Sequence, residues 1–262
     1  LISSHSFVVP TYGHSPHLAH CLASLAKQTT SSPIVVSTST PFPGIERVVK
    51  DHGADLEIHS PNRGIGQDWN HALRSTSSDL VTIAHQDDIY RPDFAKMSID
   101  AHARHPGASF SFSDFIEVDA NHRPVRTTNR FIKSLLVSAA YLGGERIEFG
   151  WRRRMLLGFG NTIICPSVTI NRRDNPEFSF REEMRTNMDW SAWLELSEIS
   201  PPIYLPHQLI ERRVHNDSET SRCIEDGSRE REDLLVFQNV WPRPMAHAIA
   251  LAYRLSYRGY LH

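Results

Sequence analysis

Between residues 7 and 112, short apolar runs alternate with segments whose apolar residues recur at helical spacing. Phe7-Val8-Val9 reads as a buried strand, broken by Pro10-Thr11-Tyr12-Gly13. Ser15 has the chemistry of a helix N-cap with Pro16 at the first helical position, and Leu18, Cys21, Leu22 and Leu25 share one face. Ile34-Val35-Val36 is the next strand, Ile45, Val48 and Val49 mark a short helix, and Leu56-Glu57-Ile58 is a third strand. Ile65, Trp69, Ala72 and Leu73 lie along one helical face, and Leu80 to Ala84 form a fourth strand that ends at His85. A helix with Pro92 near its start and Phe94, Met97 and Ala101 inward runs to about Arg104, followed by alternating Ala108, Phe110 and Phe112.

Strands alternating with helices predict a parallel sheet with helices on both faces. Ligands of such sheets bind beyond the carboxyl ends of the strands. That rule selects Thr11-Tyr12, Ser37-Thr38-Ser39, Ser60-Pro61-Asn62 and His85 to Asp88, where polar residues cluster. After residue 112 the pattern loosens. Asp119-Ala120-Asn121-His122 predicts a hairpin turn, residues 167–170 a strand, and residues 187–196 a helix carrying Trp190, Trp193 and Leu194. Residues 224–232 are highly charged, as in a solvated turn or helix start, and the tail from Leu234 predicts helix with a break at Pro242 and Pro244.

The 262 residues suit one large domain or two intimately packed halves. With 40% hydrophobic residues, 22% charged residues and a net charge of -2, the composition is that of a globular protein with no global basic field for nucleic acid. Cys21, Cys165 and Cys223 are isolated and odd in number, which argues against a disulfide framework and for a reducing compartment. No apolar run is long enough to span a bilayer, and the N-terminus lacks a charged region followed by a long apolar one. A cytoplasmic protein, in peripheral contact with the inner face of the membrane through its tail, is the expectation. Leu234, Leu235, Phe237, Val240 and Trp241, with Arg243 and Arg254, form a partly amphipathic surface for weak membrane contact or, the plainer reading, for packing of this helix against the main domain.

The sharpest chemical signal is His85-Gln86-Asp87-Asp88 directly after a buried strand. Two adjacent carboxylates there are costly unless a cation or hydrogen-bond donors compensate them. Oxygen ligands of this kind suit Mg²⁺ or Mn²⁺. The plainer reading is a polar turn that caps the next helix through Asp93.

This stretch resembles the acidic, DXD-type motif of family-2 glycosyltransferases with the GT-A fold. Phe7 to Tyr12 is similar to their first strand and nucleoside-binding turn, and Asn62-Arg63-Gly64 with Trp69-Asn70-His71-Ala72 to the loop and helix before the acidic motif. Gln86 to Pro92 matches the form in which the acidic pair precedes a proline-started helix. Ser113-Asp114 with Asp119 and Asn121 resembles the following strand and hairpin, Met188-Asp189-Trp190 the acceptor-side helix, and Arg213 to Ser218 the closing Arg-x-His loop. The order and spacing cover roughly residues 7 to 220. Two departures stand out. Ser37-Thr38-Ser39-Thr40 replaces the Asp-Asp-Gly-Ser of many relatives, where an Asp helps read the base, and the first acidic position is His85.

The resemblance implies an α/β fold of GT-A type: a Rossmann-like nucleotide-binding sheet with helices on both faces, fused to a smaller acceptor-side region. It divides the chain into a donor half at 1–112, an acceptor and catalytic half at 113–222, and a helical extension at 223–262. It implies transfer of a sugar, with inversion, from a nucleoside-diphosphate sugar to a hydroxyl of a glycan or lipid-linked acceptor, assisted by Mn²⁺ or Mg²⁺. Pro10, Thr11, Tyr12, Ser39, Asn62, Gly64, Asn70, Gln86, Asp87 and Arg213 are the expected nucleotide-sugar residues. Asp87, Asp88 and His215 are the expected metal ligands, and Asp189 the catalytic base, with Glu182, Glu183 and Glu195 as rivals. Trp190 and Trp193 read as sugar-stacking or core residues, and Arg152-Arg153-Arg154 as an anion site or a solvated face. Two other readings stay open at this point: a non-catalytic nucleotide- or glycan-binding module, and a metal-dependent hydrolase using His85, Asp87, Asp88 and His215.

Overall fold

A computed structural model describes residues 4–119, 121–147, 150–214 and 219–259. Along the chain run β1 (His5–Tyr12), α1 (Leu18–Ala26), β2 (Ile34–Thr40), α2 (Ile45–Asp51), β3 (Asp55–Ile58), α3 (Ile65–Arg74), β4 (Leu80–Ile83), β5 (Ile89–Tyr90) and α4 (Phe94–Arg104). There follow β6 (Phe110–Val118), β7 (Pro124–Val125), α5 (Thr128–Tyr141), α6 (Gly150–Leu157), β8 (Val168–Asn171), α7 (Met188–Ile199), β9 (Ile203–Arg213), α8 (Glu219–Glu225), α9 (Ser228–Val240) and α10 (Arg243–Tyr253).

The strands form one sheet in the order β3-β2-β1-β4-β8-β6-β9-β5, with β7 paired to β6. Side chains of successive strand residues point to opposite faces, and β1 shows the result. Phe7 and Val9 face a core built with α1, α2 and α4, whereas Val8 faces a core built with α3, α7 and α9. Both Trp190 and Trp193 are fully buried in the second core. Trp190 donates its ring N–H to Leu157 O and meets the Phe237 ring edge-on, so both tryptophans pack the interior rather than offering a face to a sugar.

The pattern at Pro10 does not end the strand, which continues to Tyr12. Phe7 N–H points to β2's side, where it donates to Pro33 O, and Val8 O points to β4's side, where it accepts from Ala84 N–H. Pro10 has the parity of Val8, so its missing N–H faces β4's side just beyond the end of that strand. At α1, Ser15 Oγ accepts from His17 N–H and the regular helix starts at Leu18.

The all-parallel expectation holds only for β3, β2, β1 and β4. β8 runs antiparallel to both β4 and β6, and β9 runs parallel to β6, so the sheet is mixed from β8 onward. The hydrophobic pattern misses β9 because Pro206 and its polar neighbours interrupt it. The register jumps from Ser113↔Leu205 to Asp114↔Gln208, which sets Pro206 and His207 outside the ladder in a bulge. It also misses α5, where Thr127 caps the helix by accepting from Arg130 N–H. Only Val137, Ala140 and Tyr141 of α5 are buried while Phe131, Ile132 and Leu135 are exposed, so its apolar residues do not sort onto one face. The charged stretch at 224–232 is the α8–α9 junction, and the tail is helical with its break between Val240 and Arg243.

Two buried histidines tie stability to pH. His5 faces Ser32 Oγ at 2.8 Å and Thr82 Oγ1 at 3.0 Å, and burial, then His102, lowers its pKa from 6.5 to about 3. Burial likewise lowers His102 to about 4. Both stay neutral in the folded chain while the unfolded chain takes up protons below the ordinary value of 6.5. Their contribution is therefore complete above that value and is lost as pH falls towards 4. Each residue adds a slope of about 1.4 kcal/mol per pH unit below 6.5. Urea unfolding between about pH 7 and pH 5 should show this slope, and His5→Gln should remove one residue's share of it; a flat wild-type profile would show that the histidines titrate normally.

Candidate active site

The carboxyl ends of β1, β2, β3 and β4 lie along one edge of the sheet because these four strands are parallel. Of the expected donor residues, Pro10, Thr11 and Tyr12 close β1, and Tyr12 pairs with Thr40 at the end of β2. The Tyr12 ring is largely exposed, whereas Thr11 is buried and its carbonyl accepts from Thr38 Oγ1. Asn62 and Gly64 form the turn into α3, where Asn62 Oδ1 accepts from Gly64 N–H.

The acidic turn follows β4. Asp88 N–H closes it onto His85 O, which also accepts from the Cys21 thiol. Among the described residues, His85, Asp87 and Asp88 are the group whose ligand atoms lie within 4.8 Å of one another. Two polar atoms in the turn, His85 Nε2 and Gln86 Oε1, are buried with no hydrogen-bond partner among the described residues. Burial pushes the His85 imidazole down to about 4, so near neutral pH it offers a lone pair rather than a charge. Burial raises the Asp88 carboxyl well above its ordinary value, and the neighbouring Asp87 adds to the shift. An orphaned imidazole nitrogen beside two carboxylates is a donor set that fits a small divalent cation.

β9 supports this turn from across the sheet. Arg213 donates its backbone N–H to Asp88 Oδ1 at 3.0 Å. Its guanidinium reaches Asp87 O at 3.2 Å and Asp119 O at 3.3 Å, and Nη2 lies 3.2 Å from His122 Nε2. The arginine expected at the phosphates is thus built into the wall that joins the acidic turn to the β6–β7 hairpin. His215, expected as a ligand from the next loop, lies outside the described residues.

Asp189 starts α7 and is half-buried. Its Oδ1 accepts from Trp190 N–H at 2.7 Å and its Oδ2 from Asn161 Nδ2 at 2.8 Å. Burial raises its pKa, against Arg229, the two hydrogen bonds and Lys133. Burial raises the Cys165 thiol, and Asp189 and then Asp88 add to the shift. The rival acids Glu182, Glu183 and Glu195 line an open depression of about 440 Å³ with Arg74 and Arg181.

Asn70 is engaged by the segment that precedes α7. Its amide donates to Phe180 O and Glu182 Oε1 and accepts from Phe180 N–H, clamping α3 to residues 180–182. Gly66, one turn earlier, permits the approach, since a Cβ there would lie 2.9 Å from Glu182 Cα. The arginine run is occupied with packing: Arg153 donates to Ser197 O, Arg154 lies over the Trp241 ring and Arg152 over Trp151.

The hydrophobic pattern drew attention to Ser39 but not to the side chains gathered around it. Ser39 Oγ donates to Asp68 Oδ2 at 3.1 Å, and His59 Nε2 lies 3.7 Å from Asp68 Oδ1. The His59 ring stacks on His71 with centroids 4.0 Å apart. The available signal was an acid at position 68 directly before the inward Trp69, on a helix that begins beside the donor edge.

Residues 6–175 match the sequence profile of the family described as glycosyl transferase family 2. Chondroitin synthase of Escherichia coli is 22% identical over 229 residues, covering 84% of this chain and 30% of that protein. The chain therefore spans about a third of the length of that relative. Among solved structures, S. aureus TarS 1-349 in complex with UDP-GlcNAc superposes with a TM-score of 0.68 at 15% identity, over 98% of this chain and 73% of that one. The mannosyltransferase PcManGT from Pyrobaculum calidifontis, in complex with GDP-Man and Mn2+, gives 0.66 at 16% identity over 95% and 69%. These likenesses establish the GT-A type of fold expected from the residues.

Proposed function

Since the chain belongs to glycosyl transferase family 2, we propose that it moves a sugar from a nucleoside-diphosphate sugar to a hydroxyl of a glycan or lipid-linked acceptor, with inversion. The observation that carries the reading is the acidic turn at the carboxyl edge of β4, with His85, Asp87 and Asp88 converging and His85 Nε2 orphaned. Residues 1–112 then serve the donor and 113–222 the acceptor, while α9 and α10 of the extension at 223–262 buttress the second core. Family membership favours transfer over hydrolysis or a purely binding role.

In this reading Asp87 and Asp88, with His85, hold Mn²⁺ or Mg²⁺, and His215 is a further candidate ligand. A divalent cation there stabilises the negative charge that develops on the departing diphosphate. Tyr12, Ser39, Asn62 and Gly64 border the nucleoside, and Gln86 lies next to the diphosphate. Arg213 keeps Asp87 and Asp88 in place through its bonds to both residues. Asp189 takes the proton of the acceptor hydroxyl as that oxygen attacks the anomeric carbon. Its hydrogen bonds from Trp190 and Asn161 fix the carboxylate's orientation, and the raised pKa moves it towards the operating range. The relatives solved with UDP-GlcNAc and with GDP-Man and Mn2+ support donors of this class.

No helix among the described residues is long and apolar enough to cross a membrane. Of the tail surface expected from the sequence, Phe237 is buried in the second core and Trp241 packs partly against it, so we place the protein in the cytoplasm with weak peripheral membrane contact through the exposed Leu235, Met245, Leu251 and Leu255 instead. Flotation with anionic vesicles at low salt should recover the protein, and its absence from the floated fraction would remove the membrane contact from the proposal.

Replacing Asp87 with Ala should abolish the Mn²⁺-dependent gain in nucleotide-sugar affinity and reduce transfer by about a hundredfold or more, with unchanged thermal unfolding in the absence of ligand. Transfer at the wild-type rate by this variant would overturn the metal-site assignment.

Asp189→Asn keeps the shape but removes the base. It should bind nucleotide sugar as wild type does, while single-turnover transfer slows by about 10²–10⁴-fold. Normal transfer would move the role to another carboxylate, and lost donor binding would place Asp189 in the donor site instead.

A further inference from the structure

The ends of β2 and β3 and the first turns of α3 enclose a small set of polar atoms that find no hydrogen-bond partner among the described residues. Asp68 is only 7% exposed, and its Oδ1 has no hydrogen-bond partner. Neither ring nitrogen of His59 has one. The two residues stand 3.7 Å apart, too far for a hydrogen bond to each other. Buried polar groups normally find partners, and an unpaired buried carboxylate oxygen is costly. Here an acceptor and a neutral imidazole lie side by side, for burial and then His71 hold the His59 pKa down. The His71 ring backs that imidazole at 4.0 Å, and Ser39 Oγ fixes the other carboxylate oxygen. The exposed Tyr12 ring stands one strand away, beside Thr40. A flat ligand with an N–H next to a carbonyl would satisfy both unpaired groups at once.

We infer that Asp68, carried on α3, and His59, just past β3, read the base of the donor nucleotide and select one with a ring N–H beside a carbonyl, as in uracil or guanine. Asp68 Oδ1 accepts from that ring N–H, and the His59 imidazole donates to the adjacent carbonyl. Adenine and cytosine present a lone pair where the ring N–H would be, which sets acceptor against acceptor at Asp68. The inference rests on the nucleotide-sugar reading and names its specificity determinant. It also accounts for Ser37-Thr38-Ser39-Thr40: the strand carries no acid there because the carboxylate arrives from the neighbouring helix.

The test is calorimetry with UDP, GDP, ADP and CDP, and with pyrophosphate, each in the presence of Mn²⁺, on wild type and Asp68→Asn. UDP or GDP should bind wild type at least about tenfold more tightly than ADP and CDP. Asp68→Asn should remove most of that advantage and leave Mn²⁺-pyrophosphate binding unchanged, a pattern that a purely structural role for Asp68 would not produce. ADP or CDP as the tightest wild-type ligand would overturn the inference without needing the variant. Full selectivity in a folded Asp68→Asn would overturn it as well. If neither pyrophosphate nor any of the nucleotides binds, the donor reading itself fails and the inference goes with it.

Discussion

A buried carboxylate must be given hydrogen bonds, and the way Asp88 obtains one sets the geometry of the whole carboxyl edge. Its Oδ1 takes the backbone N–H of Arg213, a residue 125 positions later at the end of β9. β4 and β9 are not neighbours in the sheet, since β8 and β6 lie between them. β5, which starts directly after Asp88, is paired to β9, so the bond carries that pairing on into the acidic turn, and the Arg213 side chain extends it to Asp87 O and Asp119 O. With these contacts the acidic turn, the β6–β7 hairpin and the end of β9 form one braced unit. Without them a nearly solvent-free acid would stand unpaired, at a cost of several kcal/mol.

Three acids show how one chain uses burial in different ways. Asp88, Asp68 and Asp189 all have raised pKa values with burial as the first cause. Asp88 is bonded to backbone and serves the frame. Asp189 has a donor on each oxygen, from Trp190 and from Asn161, so its direction is set while lone pairs remain for an incoming proton. Asp68 has one oxygen held by Ser39 and the other without a partner.

Much of this was legible in the residues because short-range physics determines it. The runs at Phe7, Ile34 and Leu80 are strands because each must bury side chains on both faces, the edge strand at Leu56 packs on one face only, and α1, α2, α3 and α4 carry apolar stripes that pack against them. The acidic turn could be found because carboxylates after a buried strand demand compensation. What escaped depends on long-range partners. β9 is interrupted by Pro206, His207 and Gln208 where its register first jumps, α5 leaves Phe131, Ile132 and Leu135 exposed, and the roles of Arg213 and Asn70 follow from groups 91 to 126 residues away. Asp68 was passed over for a related reason: along the sequence it reads as a helix-start acid, and only the fold sets it against Ser39 and His59.

α3 presents a different partner on each of its sides. Trp69, Ala72 and Leu73 enter the core, Gly66 and Asn70 lie against residues 180–182, and Asp68 faces Ser39. A helix turns about 100° per residue. Inserting or deleting one residue in its first turn would swing all three sets round together, driving Asp68 out of its notch and a bulky side chain against the backbone at 181–182. The helix is thus cut like a key: point changes can alter one tooth, but no shift in length can be absorbed. Lineages of this chain should vary in residue type along α3 while keeping the spacing from Gly66 to Leu73 constant.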